Sequence, residues 1–275
     1  MHRFNDVSAG QNLATIPGML KNLLVTFFIL SPAFALMVSP VPNIAGAPPL
    51  QELFKAQGVP AEAVERSIQY LEQNAGKYVQ GGEIGNTRVE VGGDNMVVID
   101  YSLPSTQKRL YHLNLKTGEV QKFYVAHGKN SGVHYSTSFS NVHESKTSSL
   151  GMSVVGGTYS GFYGKSIRLY GLEKSNSKME DRYIVMHGAP YVSPEFIEKN
   201  GRLGRSWGCP AVEVDVMKLM IETLTPGSLV YLYHKDLLHD AFTNPNRQDL
   251  KDQSMEDQLD IDLPGEEEDI KSRGI

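Results

Sequence analysis

The segment from Arg182 to Val212 reads RYIVMHGAPYVSPEFIEKNGRLGRSWGCPAV, with His187 at the end of an apolar run and Cys209, the only cysteine of the chain, 22 residues later. A free thiol with a pKa of about 8.5 is only slightly ionised at neutral pH, so a cysteine nucleophile needs an imidazole or a helix N-terminus beside it. Both are expected here. His187 supplies the imidazole, and Pro210 stands just ahead of an expected helix whose positive end would face Cys209. Gly208 has no Cβ, so the N–H groups of Gly208 and Cys209 are candidates for an oxyanion hole. Against this stands the plain alternative of a buried thiol serving as a small hydrophobe. The neighbours Ser206, Trp207, Gly208 and Pro210 do not form an apolar periodic run, which favours the nucleophile.

Two competing chemistries overlap this pair. Gly204-Arg205-Ser206-Trp207-Gly208 matches G-x-S-x-G, the elbow that makes a serine nucleophilic between a strand and a helix. The preceding EKNGRLGR is too polar and glycine-rich for a buried central strand, so the match is read as accidental. His127, His134, His143 and His187 are possible metal ligands by type, but no close H-E-x-x-H-like pair occurs and no metal or other cofactor is expected. Trp207 and Arg205 flank the cysteine as loop packing and a solvated charge, or as a substrate wall and a carboxylate clamp.

The elements that must position these residues are short. MVVIDY from Met96, RLYHLNL from Arg109 and VQKFYVAHG from Val120 carry β-branched and aromatic residues, and Lys116 to Glu119 supplies a hairpin turn. Further strands are expected at Met152 to Val155, Ser166 to Leu169, Tyr183 to Met186 and Leu229 to Tyr233. One amphipathic helix is expected from Val214 to Leu224, with Val214, Met217, Ile221 and Leu224 on one side. Many short strands and few helices predict a mainly β fold, a β-sandwich or barrel, over a doubly wound α/β sheet. Leu50 to Ala56 and Ala61 to Leu71 read as two helices forming a small N-terminal cap.

Composition divides the chain further. A single cysteine excludes an internal disulfide or a multi-cysteine zinc site. Met19 to Ala35 (MLKNLLVTFFILSPAFA) has a lysine, an apolar run, Pro32 and an A-x-A ending, the layout of a secretory signal peptide. The run is shorter than the about 20 residues of a membrane span, although an uncleaved anchor is the alternative. The polar residues before Met19 suggest translation starting there, and no cysteine follows the run to carry a lipid. The expected organisation is a signal peptide over 1–35, a Pro-rich linker over 36–49, a helical segment over 50–95, a catalytic domain over 96–235 and an acidic disordered tail over 236–275. The net charge of −5 splits accordingly: from Asp236 onward 12 acids meet 4 bases, leaving 22 bases and 19 acids upstream. Export to the periplasm or cell envelope follows, with no stable membrane span after cleavage. No nucleic-acid partner is expected.

The sequence resembles the murein L,D-transpeptidase catalytic domain family, a divergent branch of the YkuD-like L,D-transpeptidases. That family carries a histidine followed downstream by Ser/Thr-His-Gly-Cys, and here His187 is followed after 18 residues by Ser206-Trp207-Gly208-Cys209. The blocks that carry the resemblance are HGKNSG (127–132), FSN (139–141), SSLG (148–151), the run from Tyr159 to Glu173, HGAPYVS (187–193) and GRSWGCPAV (204–212). Trp207 departs from the family pattern, standing where a second histidine is usual, and so does Pro210-Ala211. The resemblance implies a β-rich catalytic domain with Cys209 as nucleophile, His187 as general base and Gly208 and Cys209 at the oxyanion hole. It leaves Ser206, Trp207, Arg205 and Gly188 as candidates for substrate contact. The implied reaction is attack on the L,D amide of a peptidoglycan tetrapeptide stem. Transfer to an amine then gives a 3→3 cross-link, transfer to water gives carboxypeptidase activity, and carbapenems are expected to acylate the cysteine. A non-catalytic envelope-binding domain of the same fold is the alternative from a different class, and a serine hydrolase using Ser206 is a third.

Overall fold

The computed structural model describes residues 48–80, 88–161 and 164–236. The expected signal peptide, nearly all of the linker and nearly all of the acidic tail lie outside the described residues. Two helices open the described chain, α1 (Leu50–Ala56) and α2 (Ala61–Asn74), followed by a short ribbon of β1 (Tyr78–Gln80) and β2 (Arg88–Glu90). Helix α2 starts directly after Pro60 and turns Ala63, Val64 and Ile68 inward at helical spacing. Together with Phe54 of α1 they join the same apolar core as the strands that follow.

Those strands are β3 (Asn95–Asp100), β4 (Leu110–Asn114), β5 (Val120–Phe123), β6 (Val125–Ala126), β7 (Gly151–Gly161), β8 (Gly164–Gly171), β9 (Val185–Gly188), β10 (Ala211–Val212) and β11 (Leu229–Tyr233). They form one nine-stranded sheet in the order β5-β4-β3-β11-β7-β8-β9-β10-β6. Its two outer strands, β5 and β6, are consecutive in the chain and separated only by Tyr124. A single residue between opposite edges forces the sheet to curl almost closed, which hides both edges from further pairing. The mainly β, barrel-like class expected from the strand pattern is therefore what the chain adopts.

Helix α3 (Pro194–Asn200) and helix α4 (Val214–Thr223) complete the fold, with α4 packed on β9. Gly188 lies under that contact, where a Cβ would come 3.1 Å from Val214 Cα and 3.2 Å from Met217 Cβ. This is a packing requirement, and it accounts for Gly188 without a substrate. All pairings are antiparallel except β11 with β3 and β9 with β10. The β9–β10 pair aligns Ala211 with His187.

Candidate active site

The turn from Ser206 to Pro210 leaves and rejoins one stretch of chain. Ser206 bridges in parallel to Gly128, donating its N–H to His127 O (3.0 Å) and accepting from Lys129 N (2.6 Å), while Ala211 and Val212 pair antiparallel with Ala126 and Val125. The turn is also stapled internally. Ser206 Oγ donates to Cys209 O (2.6 Å) and accepts from Gly208 N (3.1 Å). Gly208 has φ +123°, and a Cβ there would meet Thr147 O at 2.6 Å, so only glycine fits.

This placement corrects two expectations. The strand β10 intervenes between Pro210 and α4, so Cys209 is not at the positive end of that helix. The Gly208 N–H is engaged by Ser206 Oγ within the turn, which leaves Cys209 N–H as the oxyanion donor to consider. The serine-elbow alternative also loses its structural basis: no strand runs into Ser206, a strand rather than a helix follows it, and its hydroxyl is spent holding the turn.

Extending the β9–β10 register back by two residues sets Cys209 beside Val185, and the side chains of Val185 and His187 share a face of the sheet. Val185 N–H points at Cys209 Sγ (3.5 Å), and the thiol donates to Tyr183 O (3.7 Å). Cys209 is 3 % exposed and belongs to the apolar core. His187 Nδ1 lies 3.1 Å from Gly188 O, so Nδ1 carries the proton and Nε2 is the nitrogen able to take one. A backbone carbonyl thus meets the imidazole at Nδ1.

Around this pair the walls are polar but buried. Ser148 Oγ accepts from Gly128 N (3.0 Å) and donates to Gly208 O (3.2 Å), and Ser148 N donates to Ser131 Oγ (2.8 Å). Tyr101 is fully buried, and burial pushes its hydroxyl up to about 12, against the pull of Arg109. Arg109 in turn donates to Val125 O, to Leu103 O and to His127 Nδ1 (2.7 Å), and His127 Nε2–H donates to Gly132 O (2.9 Å). His127 is held neutral, its pKa driven well below the usual value by burial first and by Arg109 second. It is a brace for the 125–132 segment. Among the described residues no group of three His, Cys, Asp or Glu side chains is arranged to hold a metal ion.

Arg205 is buried and donates to Lys129 O (3.3 Å) and Gly132 O (3.4 Å), so it braces the same segment and does not present a cation to an open surface. Trp207 is half-buried, with Lys146 Nζ 3.9 Å from its ring centroid. The residue that inspection of the sequence missed is Arg182. Its Nη1 donates to Ser140 O (2.6 Å) and Ser149 Oγ (2.6 Å), and its Nη2 to Thr147 O (2.6 Å) and Ser145 Oγ (3.1 Å). The one sequence signal was a basic residue directly ahead of the apolar run that ends in His187.

Residues 66–233 match the L,D-transpeptidase catalytic domain family, and the chain belongs to that family. Similar solved structures include an L,D-transpeptidase from Mycobacterium smegmatis, at 12 % identity over 53 % of this chain and 61 % of that one, TM-score 0.34. The L,D-transpeptidase LdtMt1, in complex with imipenem, is 14 % identical over 53 % of this chain and 62 % of its own, TM-score 0.33. An L,D-transpeptidase from Xylanimonas cellulosilytica is 17 % identical over 67 % of this chain and 91 % of its own, TM-score 0.29. The chain thus spans about three fifths of the length of the first two. No curated protein matches it.

Proposed function

We propose that this protein is an exported peptidoglycan L,D-transpeptidase in which Cys209 is the nucleophile and His187 the general base. The observation that carries the reading is the β9–β10 pairing, which sets the cysteine turn beside the histidine strand, with Gly188 O fixing the imidazole tautomer. In the first half-reaction the Cys209 proton passes to His187 Nε2 as sulfur bonds to the carbonyl carbon of the L,D amide of a tetrapeptide stem. The negative oxygen is held by Cys209 N–H. Collapse breaks the C–N bond, and the imidazolium returns its proton to the departing D-alanine amine. In the second half-reaction an amine of another stem gives a proton to His187 Nε2 as its nitrogen bonds to the thioester carbon. The C–S bond breaks and the imidazolium returns the proton to the Cys209 sulfur, giving a 3→3 cross-link, and water in place of the amine gives an L,D-carboxypeptidase. No step calls for a cofactor.

Residues 1–35 serve in this reading as the signal peptide and 236–275 as an acidic tail outside the catalytic unit, with the periplasm as the site of action. Among the described residues no helix is long and apolar enough to cross a membrane. A related solved enzyme carries imipenem, which supports a β-lactam as probe.

The burial of Cys209 favours a second reading, a domain of this fold that binds the envelope without turnover. Intact mass after incubation with a carbapenem separates the two. Wild type and Ser206→Ala should gain the mass of one carbapenem and Cys209→Ala none. A wild type that stays unmodified supports the binding domain, and an adduct lost only in Ser206→Ala would sink the cysteine assignment.

A further inference from the structure

We propose that Arg182 is the charge-compensating and positioning residue of this site: a buried cation that holds the 140–149 segment against the cysteine turn and offsets the negative charge that arises on Cys209. The inference rests on the reading of Cys209 as the nucleophile.

Arg182 is 8 % exposed. Its four hydrogen bonds go to two carbonyls and two hydroxyls, all neutral, and all in the stretch Ser140 to Ser149. Among the described residues no carboxylate is within ion-pair reach of it. A charge removed from water is normally paired. Arg109 is likewise buried and held by neutral groups alone, and what sets Arg182 apart is its place against the cysteine turn. The guanidinium also reaches the cysteine turn: a Cβ on Gly208 would lie 3.3 Å from Arg182 Nη2 and 2.6 Å from Thr147 O, which Nη2 itself holds. One residue further along the chain, Tyr183 adopts φ +56°, a strained conformation for an aromatic residue, and this turns its carbonyl to the Cys209 thiol. Arg182 and Tyr183 thus grip the turn from two sides.

The electrostatics agree with the geometry. Burial pulls the Arg182 guanidinium down to about 10, and the opposing influence comes from Cys209. A thiolate formed inside an apolar core lacks water to stabilise it, and a cation without a counter-ion of its own is suited to that task. The arrangement also bears on Trp207, which can donate a hydrogen bond but takes up no charge where the family usually has a second histidine. In this chain the second positive group comes from the other side of the turn. The other titratable or charged groups around the turn are His187 on β9, Tyr101 after β3 with Arg109 behind it, His127 after β6, Arg205 directly ahead of Ser206, and Lys146 over Trp207.

The test is the rate of Cys209 alkylation by iodoacetamide against pH in the full chain, alongside the melting temperature and the carbapenem adduct. Arg182→Gln removes the charge, and Arg182→Lys keeps it while losing the fork. Ser149→Asp leaves Arg182 in place but sets a carboxylate where a hydroxyl now lies 2.6 Å from Nη1. Arg182→Gln and Ser149→Asp should move the inflection of the alkylation profile up by about one pH unit, close to a tenfold loss of rate below it. Arg182→Lys should leave the inflection near that of wild type. If Arg182→Gln does not fold, Ser149→Asp alone decides. An unmoved profile in the folded charge-removing variants, or an equal shift in Arg182→Lys, would overturn the proposal even with the wild-type adduct intact. A wild type that takes no carbapenem would instead overturn the reading of Cys209.

Discussion

Arg66 and Arg182 both lie against the barrel, one on α2 and one beside the cysteine turn, and their partners differ in kind. Arg66 meets a carboxylate, with Nη2 3.0 Å from Glu173 Oε1, and its guanidinium lies 5.9 Å from the centroid of Tyr231. Its side chain is 37 % exposed, so water still shares its solvation. Arg182 is nearly dry and has only neutral partners. An exposed-side ion pair of the first kind docks a helix and contributes modestly. A buried cation left without a carboxylate is held by surrounding structure that bears the desolvation penalty, and such arrangements gather where charge is made during a reaction. Under the proposed function, the contrast between the two arginines assigns the Cys209 face of the barrel to the reaction and the α2 face to support.

The largest effect that would break this contrast comes from the turn itself. Gly208→Ala puts a Cβ within 2.6 Å of Thr147 O and 2.9 Å of Ile184 Cδ1 at φ +123°. Backbone strain and overpacking together should lower unfolding stability by about 3 kcal/mol, measured by urea denaturation, and abolish the carbapenem adduct. Ser206→Ala comes next. It removes the hydroxyl that joins Cys209 O to Gly208 N, a loss of about 2 kcal/mol by the same measurement, with the adduct still formed but more slowly. A stability unchanged by Ser206→Ala would mean that the turn is held from outside alone.

How far the sequence made these regions legible follows from where their partners lie. Strand β11 and helix α4 stood out because an unbroken apolar run and a clear helical period are local signals, and their observed bounds lie within a residue of those expected. Strand β10 has two residues and no period, so nothing in the sequence marks the extended stretch that separates Cys209 from the start of α4. Helix α3 was missed even though Ser193 caps it, with its Oγ accepting from Phe196 N, Pro194 opens it and Gly201 closes it at φ +72°. None of its residues is buried, so it lacked the apolar stripe that drew attention to α4. The expected strand at Tyr183 begins only at Val185, because Tyr183 is left-handed to serve the turn. His187 and Cys209 were readable as types at a spacing. Arg182 was not, because its partners lie 33 to 42 residues upstream and only the folded chain assembles them.

On the α2 side the expected effect is smaller and depends on pH. Burial raises the Glu173 carboxyl above its ordinary value, with Arg66 opposing. Since the folded-state value exceeds the unfolded one, the protonated form favours the fold, and stability falls as pH rises from the unfolded pKa to the folded one. Arg66→Gln removes the opposing cation and widens that window. The variant should match wild type near pH 4, where the carboxyl is largely protonated in both states, and fall about 1 kcal/mol below it at pH 7. The alkylation profile of Cys209 should not move. A variant penalty that is the same at both pH values would show that Arg66 contributes packing on Tyr231 and α2 and not charge.

The smallest effect concerns Lys146, whose ammonium lies 3.9 Å from the Trp207 ring centroid at the rim of the same turn. Cation–π contacts at half-exposed positions contribute about 0.5 to 1 kcal/mol, and Lys146→Gln removes this one while leaving the left-handed backbone at φ +55° as it was. Trp207 is the only tryptophan in the chain, so its fluorescence reports on this contact without interference. Lys146→Gln should change the emission of the folded protein, lower stability by about 0.5 kcal/mol and leave the pH profile of Cys209 alkylation in place. That last outcome sharpens the comparison between cations: Lys146 sits over an aromatic face in partial contact with water, whereas Arg182 is dry and reaches the cysteine turn from within. If Lys146→Gln moved the alkylation profile as far as Arg182→Gln, the positive charge acting on the thiol would be shared across the rim, and burial would no longer distinguish the two.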